Sequence, residues 1–181
     1  IFEEQMYGTM EHLYSFPSVL YYTIFNEGWG QFSADKMYRK AKEFDPSRII
    51  DATSGWFYRK ESDVDSRHVY FKPVKLGKVS KRPIVISEFG GYSHRVPGHI
   101  FGEDEYGYSS FKTREEFETA FIRLYRDEIK PLISHGICAL VYTQVSDVED
   151  ETNGLITYDR AILKLDSTRI SSLMQELYRE I

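Results

Sequence analysis

The sequence predicts an α/β fold in which about five strands alternate with helices. Three observations predict it. Short runs such as Val19–Phe25, Ile84–Ile86 and Ile137–Val141 are apolar rather than alternating, as expected of parallel strands covered on both faces. Elsewhere apolar residues recur at helical spacing. The two kinds of segment follow one another along a chain of 181 residues, long enough for one domain with a sizeable core.

Each element has its own signal. Phe2, Met6, Met10 and Leu13 share one face of a helix over residues 1–14, which Phe16-Pro17-Ser18 breaks. The strand 19–25 follows, and Ser33 stands as the cap of a helix of about 34–44 with Met37, Ala41 and Phe44 inward. Asp45-Pro46-Ser47 is a turn before a short strand from Arg48 to Ala52, and another strand lies near His68 to Phe71. Pro83 opens the strand 84–87. The stretch 89–112 is a long loop with five glycines, a length usually reserved for functional segments. Thr113 and Glu116 form a capping box for the helix that carries Phe117, Ala120, Phe121, Leu124 and Ile129. Gly136 ends that region, 137–143 is a strand, Asn153-Gly154 marks a turn, and a last helix aligns Ile170, Leu173, Met174, Leu177 and Ile181.

Composition excludes several partners. A net charge of −5 argues against nucleic acid or an anionic membrane surface. No stretch approaches the roughly 20 apolar residues of a membrane span. The single cysteine, Cys138, excludes an internal disulfide, and its apolar neighbours predict a buried, inert thiol. Aromatic residues make up 15% of the chain, 14 of them tyrosines, which suit both a core and a sugar-binding cleft. The chain starts at Ile1 without a basic and apolar leader, which predicts a processed or excised piece. His94, His99 and Asp147 lack a metal-ligand spacing, so neither metal nor cofactor is expected.

The chemistry points to two glutamates. Glu27 closes the first apolar strand and Glu88 the fourth, and each is followed by glycines, Gly28 and Gly30 or Gly90 and Gly91. Either acid alone is weak evidence, since a lone strand-end carboxylate is more often an ion-pair partner. Together they suggest a carboxylate pair, the equipment of a glycosidase. Asn26, beside Glu27, is placed to hydrogen-bond a sugar 2-hydroxyl, and Trp29 offers a stacking face.

The run Pro17-Ser18-Val19-Leu20-Tyr21-Tyr22-Thr23-Ile24-Phe25-Asn26-Glu27 resembles the acid/base segment of glycoside hydrolase family 2, which holds β-galactosidases, β-glucuronidases and β-mannosidases. Ile86-Ser87-Glu88-Phe89-Gly90-Gly91 resembles its nucleophile segment. Val141-Tyr142-Thr143-Gln144, with Asn153-Gly154-Leu155-Ile156-Thr157-Tyr158-Asp159-Arg160, is similar to its last barrel strand and the loop after it. The family pattern has His where Phe16 stands and Trp where Tyr22 stands.

The resemblance implies a partial (β/α)8 TIM barrel, strands four to eight with their helices, over the whole chain 1–181. The first half of the barrel and the preceding β-sandwich domains would belong to a longer protein, and the isolated piece is expected to self-associate and to be inactive. The implied reaction is retaining hydrolysis of a β-linked glycoside or oligosaccharide. Glu88 is the expected nucleophile and Glu27 the acid/base, with carboxyl groups about 5–5.5 Å apart in such enzymes. Asn26 would bind the 2-hydroxyl and Tyr70 would hydrogen-bond the nucleophile. His68, Trp56 and Gln144 would line the pocket. A β-galactosidase-like activity is expected first. β-Glucuronidase, β-mannosidase, another barrel glycosidase and a non-catalytic carbohydrate-binding relative remain open.

Overall fold

The computed structural model describes residues 1–57, 59–77 and 80–180. The chain is mixed α/β and divides into two compact units, Ile1–His68 with Ser80–Ser87 and Val69–Val79 with Glu88–Ile181. The elements in order are α1 (Phe2–Leu13), β1 (Tyr21–Thr23), α2 (Ala34–Phe44), β2 (Ile49–Asp51), β3 (Asp65–Val69) and β4 (Ile84–Gly90). Then come β5 (Tyr92–Ser93), β6 (Ser109–Ser110), α3 (Arg114–Arg123), a π-helical segment (Leu124–Ile129), α4 (Lys130–Ile133), β7 (Ile137–Thr143) and α5 (Ser167–Tyr178). Five strands lie at or near the expected places, although the one expected near His68 to Phe71 runs earlier, Asp65–Val69, and leaves Tyr70 beyond its end; the two-residue β5 and β6 lie inside the long glycine-rich loop. Ile181, expected on the apolar face of α5, lies outside the described residues. No helix among the described residues is long and apolar enough to cross a membrane.

In the first unit β1 and β2 pair in parallel, Tyr21 opposite Ile49 and Thr23 opposite Asp51. Met10 of α1, Tyr22, Ala41 of α2 and Ile50 form one buried cluster, and Met6 and Leu13 pack against it. The predicted face of α1 is therefore the buried one. Burying a side chain such as Met10 or Ile50 contributes about 1.5–3 kcal/mol. Arg48 ties the connections together. Its guanidinium donates to the carbonyls of Tyr14 (2.6 Å) and Val19 (2.6 Å) and to Asp45 (2.5 Å), so the loop after α1 has its backbone oxygens satisfied. β3 pairs with β4, and Asp65 N donates to the Pro83 carbonyl at 2.9 Å. α2 has the expected bounds, but Ser33 does not cap it through its side chain. Ser33 sits in a left-handed conformation (φ 44°) rather than the extended backbone typical of a capping residue.

In the second unit β7 pairs with β4, and Gly91 N donates to the Thr143 carbonyl at 3.0 Å. Phe89, Phe121, Tyr125 and Tyr142 form an aromatic core with ring centroids 4.8–5.7 Å apart. Gly90 makes room for it: its φ is +88°, and a Cβ there would stand 2.3 Å from the Tyr142 ring. The Thr113–Glu116 capping box is present in full. The single helix expected after it is instead α3, a π segment and α4. Phe117, Phe121, Tyr125 and Ile129, four of its buried residues, recur every fourth position, wider than the roughly 3.6-residue α turn, and a π turn suits that spacing. Cys138 is exposed, against expectation. Cys138 and Ala139, which point to opposite faces of the strand, are both exposed at the start of β7.

Lys164 and Asp147 form a buried ion pair at 2.7 Å, and Lys164 also donates to the Thr152 carbonyl at 2.9 Å. Burial pushes the lysine pKa down and the aspartate pKa up, so each charge depends on the other. Gly154 N donates to the same Asp147 oxygen at 2.8 Å, which fixes the Asn153-Gly154 turn. Replacing Lys164 by Met should therefore destabilise the protein by about 3–5 kcal/mol, the range for a buried pair broken on one side. The double variant Asp147→Leu/Lys164→Met should recover much of that loss in urea titrations. An equal or larger loss in the double variant would refute the pairing as the cause.

Candidate active site

The predicted acid and its neighbours lie in the first unit. Ile24 N still donates to the Asp51 carbonyl (2.9 Å), but the ladder itself ends at Thr23. Glu27 therefore sits in the loop beyond β1 rather than closing the strand as expected. The cause is the partner: β2 offers only three residues to pair with. The Glu27 side chain is mostly buried, and its Oε2 is held by Nδ1 of His68. A carboxylate only accepts, so Nδ1 carries the proton when Glu27 is ionised.

His68 sits on β3 with its imidazole fully buried. Its other nitrogen, Nε2, meets the Ser54 hydroxyl at 2.8 Å. The turn that carries Ser54 follows β2 and is shaped by the buried Asp51. Oδ1 of Asp51 accepts from the amides of Thr53 (3.4 Å) and Ser54 (3.3 Å), and Oδ2 accepts from the Tyr21 hydroxyl (2.8 Å). Burial, then the Asp51 charge, pushes the Tyr21 pKa well above the ordinary phenol range, so Tyr21 remains a donor. Gly55 follows with φ +104°, and a Cβ there would stand 2.4 Å from the imidazole.

Asn26 is exposed, and its carbonyl accepts from Gln31 Nε2 at 2.8 Å. Trp56 is 53% exposed and Trp29 is 93% exposed. Of the residues expected in this unit, the structure thus brings Glu27 and His68 together and leaves Asn26 and Trp56 facing solvent.

The second unit carries Glu88. It lies within β4, two positions before the strand ends at Gly90, not at its tip as expected. The Tyr70 hydroxyl donates to its Oε2 at 2.5 Å and lies 3.0 Å from the Thr143 hydroxyl at the end of β7. Burial first, then Glu88, pushes the Tyr70 pKa far above the usual tyrosine value, which keeps the phenol protonated. The Tyr70 ring stacks on Tyr108 at 3.9 Å with planes 8° apart. Gly91 permits this, because a Cβ there would lie 2.3 Å from Tyr108. Gln144 follows a cis Thr143–Gln144 peptide, and its Nε2 donates to Asn153 and Glu151, both at 2.9 Å. An open groove of about 700 Å³ along α3 holds none of the expected site residues.

Ser54, Asp51, Thr143 and Tyr108 were not singled out from the sequence as site residues. Ser54-Gly55 is a turn signal, yet nothing in it announces a histidine partner 14 residues on.

No protein-family model matches the sequence, and no curated protein does either. Solved structures do share its fold. A β-D-glucuronidase of Dictyoglomus thermophilum aligns with a TM-score of 0.63 at 15% identity, over 98% of this chain and 35% of its own. A β-glucuronidase of Faecalibacterium prausnitzii aligns with a TM-score of 0.64 at 17% identity, over 98% and 34%. One from an uncultured Clostridium aligns with a TM-score of 0.63 at 14% identity, over 98% and 35%. The chain thus spans about a third of the length of the enzymes it matches.

Gly55→Ala should test the cradle around His68. It combines a left-handed backbone with a Cβ inside the imidazole's contact distance, so it should destabilise by more than about 1 kcal/mol. Thermal melts give the cost. An unchanged melting temperature would show that His68 does not occupy this place.

Proposed function

We propose that this chain carries the catalytic carboxylates of a retaining β-glycosidase of the glycoside hydrolase family 2 type. It would form the C-terminal part, strands four to eight, of a (β/α)8 catalytic domain in a longer protein. The observation that carries the reading is the 2.5 Å hydrogen bond from Tyr70 to Glu88. A phenol that keeps its proton is a suitable permanent donor to a carboxylate nucleophile. The fold shared with three β-glucuronidases over 98% of the chain supports it, as do the motifs around Glu27 and Glu88.

In this reaction the ionised Glu88 attacks the anomeric carbon while the bond to the leaving oxygen breaks. Glu27 delivers its proton to that oxygen, and the product is a glycosyl ester on Glu88. Glu27, now a carboxylate, takes a proton from water. The water attacks the anomeric carbon and Glu88 departs, so the sugar leaves with the configuration it entered with. Asn26 and Trp56, both exposed, would meet the sugar. Gln144 would border the pocket from the loop that Asn153 and Glu151 hold. The substrate is a β-galactoside-like or β-glucuronide-like glycoside.

In the intact longer protein, a 2-deoxy-2-fluoro glycoside with a dinitrophenyl leaving group should trap the intermediate, and peptide mapping should find the sugar on Glu88. Labelling of another residue would overturn the assignment. Unchanged hydrolysis by Glu88→Gln in the intact protein would remove Glu88 from the nucleophile role. Tyr70→Phe removes a hydrogen bond to a charged group, a loss of about 1.5–3 kcal/mol, so kcat/KM for nitrophenyl β-glycosides should fall about 10- to 100-fold. A fall smaller than about twofold would remove Tyr70 from the machinery.

A further inference from the structure

We infer that Ser54 is a positioning residue for the acid/base: its hydroxyl holds His68 in the tautomer that presents Nδ1–H to Glu27. The inference rests on the glycosidase reading for the role of Glu27, and on geometry alone for the hydrogen bonds.

The geometry leaves few choices. His68 has both ring nitrogens engaged, Nδ1 by Glu27 Oε2 and Nε2 by Ser54 Oγ at 2.8 Å. Facing an ionised Glu27, Nδ1 must donate. The neutral ring then has a lone pair at Nε2 that needs a donor, and the environment is buried: Ser54 is 4% exposed. A hydroxyl meets that need. It also rotates, so it accepts from Nε2–H if the ring becomes an imidazolium. A backbone carbonyl or amide at this place would fit only one of those forms.

The backbone at Ser54 supports a functional reason for the side chain. Its φ is +23°, a conformation that non-glycine residues rarely adopt, and the next residue, Gly55, has φ +104°. Glycine would take the first position with less strain. Serine stands there instead, and its hydroxyl is the atom that reaches His68. His68 occupies Oε2 of Glu27, which leaves Oε1 as the oxygen that carries and delivers the catalytic proton.

Ser54→Gly is the informative variant, because it removes the hydroxyl while relaxing the backbone. Two measurements on the intact protein decide the matter. Nitrogen NMR of histidine-labelled wild type should show His68 as the Nδ1–H tautomer at neutral pH, and Ser54→Gly should lose that fixed pattern. A wild-type His68 in the Nε2–H form would overturn the inference. The second measurement compares leaving groups on β-galactosides and β-glucuronides. Phenyl glycosides need a proton at departure and 2,4-dinitrophenyl glycosides do not. General acid catalysis contributes about 100- to 10,000-fold, so kcat/KM for the phenyl substrates should fall roughly 10- to 100-fold in Ser54→Gly. For the dinitrophenyl substrates it should change less than about threefold. Equal losses on both classes would assign Ser54 a merely structural role and overturn the inference while the glycosidase reading stands. Wild-type protein that hydrolyses neither class would remove the glycosidase reading, and with it the acid/base role of this contact.

Discussion

The buried carboxylate of Asp51 is the constraint on which the first unit depends. It ends β2 and receives three donors: the Tyr21 hydroxyl and the amides of Thr53 and Ser54. Its carbonyl also accepts from Ile24 N at 2.9 Å, just past β1. A lone charge in this place would cost several kcal/mol, and the three donors offset that cost. The same bonds set the direction of the chain after β2. They aim the Ser54 hydroxyl at His68 and bring Gly55 against the imidazole face. Asp51 thus fixes the partner of Glu27, the proposed acid/base, without touching Glu27 itself.

The second unit solves the matching problem with aromatic rings. Glu88 is held by Tyr70, and Tyr70 is held by stacking on Tyr108. Tyr108 comes from the glycine-rich loop, and Tyr108 N donates to the Gly91 carbonyl at 3.1 Å. Gly90 and Gly91 stand side by side beneath two different rings, Tyr142 and Tyr108, at distances that exclude a Cβ. The glycines that follow Glu88 therefore admit the rings that fix its surroundings. Their purpose is space as much as backbone freedom.

Much of this was legible in the sequence. Helix α2 has the bounds its period and flanking turn imply, and the capping box at Thr113 is fully formed. The pairing of Tyr70 with Glu88 follows the motif resemblance. What failed has a common physical cause: local residues do not reveal their partners. The apolar run 19–25 gives no hint that β2 pairs with only Tyr21–Thr23. The run around Cys138 looks buried, yet Cys138 and Ala139, on opposite faces of β7, are both exposed. His68 was expected to line a pocket, and its imidazole is fully buried between Glu27 and Ser54. A residue type predicts what bonds a side chain can make, while the fold decides which atom takes them.

The two glutamates are served by different donors, and the difference fits the proposed roles. A retaining acid/base gives up a proton in one step and takes one in the next. Its partner must remain favourable in both states. An imidazole bonded to a hydroxyl can do so, because it can take on a charge with Nδ1 still donating while Ser54 switches from donating to accepting. A nucleophile alternates instead between carboxylate and ester and takes no proton at either stage. It needs a donor whose proton never leaves, and burial together with Glu88 raises the Tyr70 pKa far out of reach of neutral pH. Exchanging the donors would give the acid a partner that cannot follow its proton and the nucleophile one that can lose its own. The choice of histidine for Glu27 and tyrosine for Glu88 therefore distinguishes the two carboxylates by chemistry, independently of the sequence motifs that first singled them out.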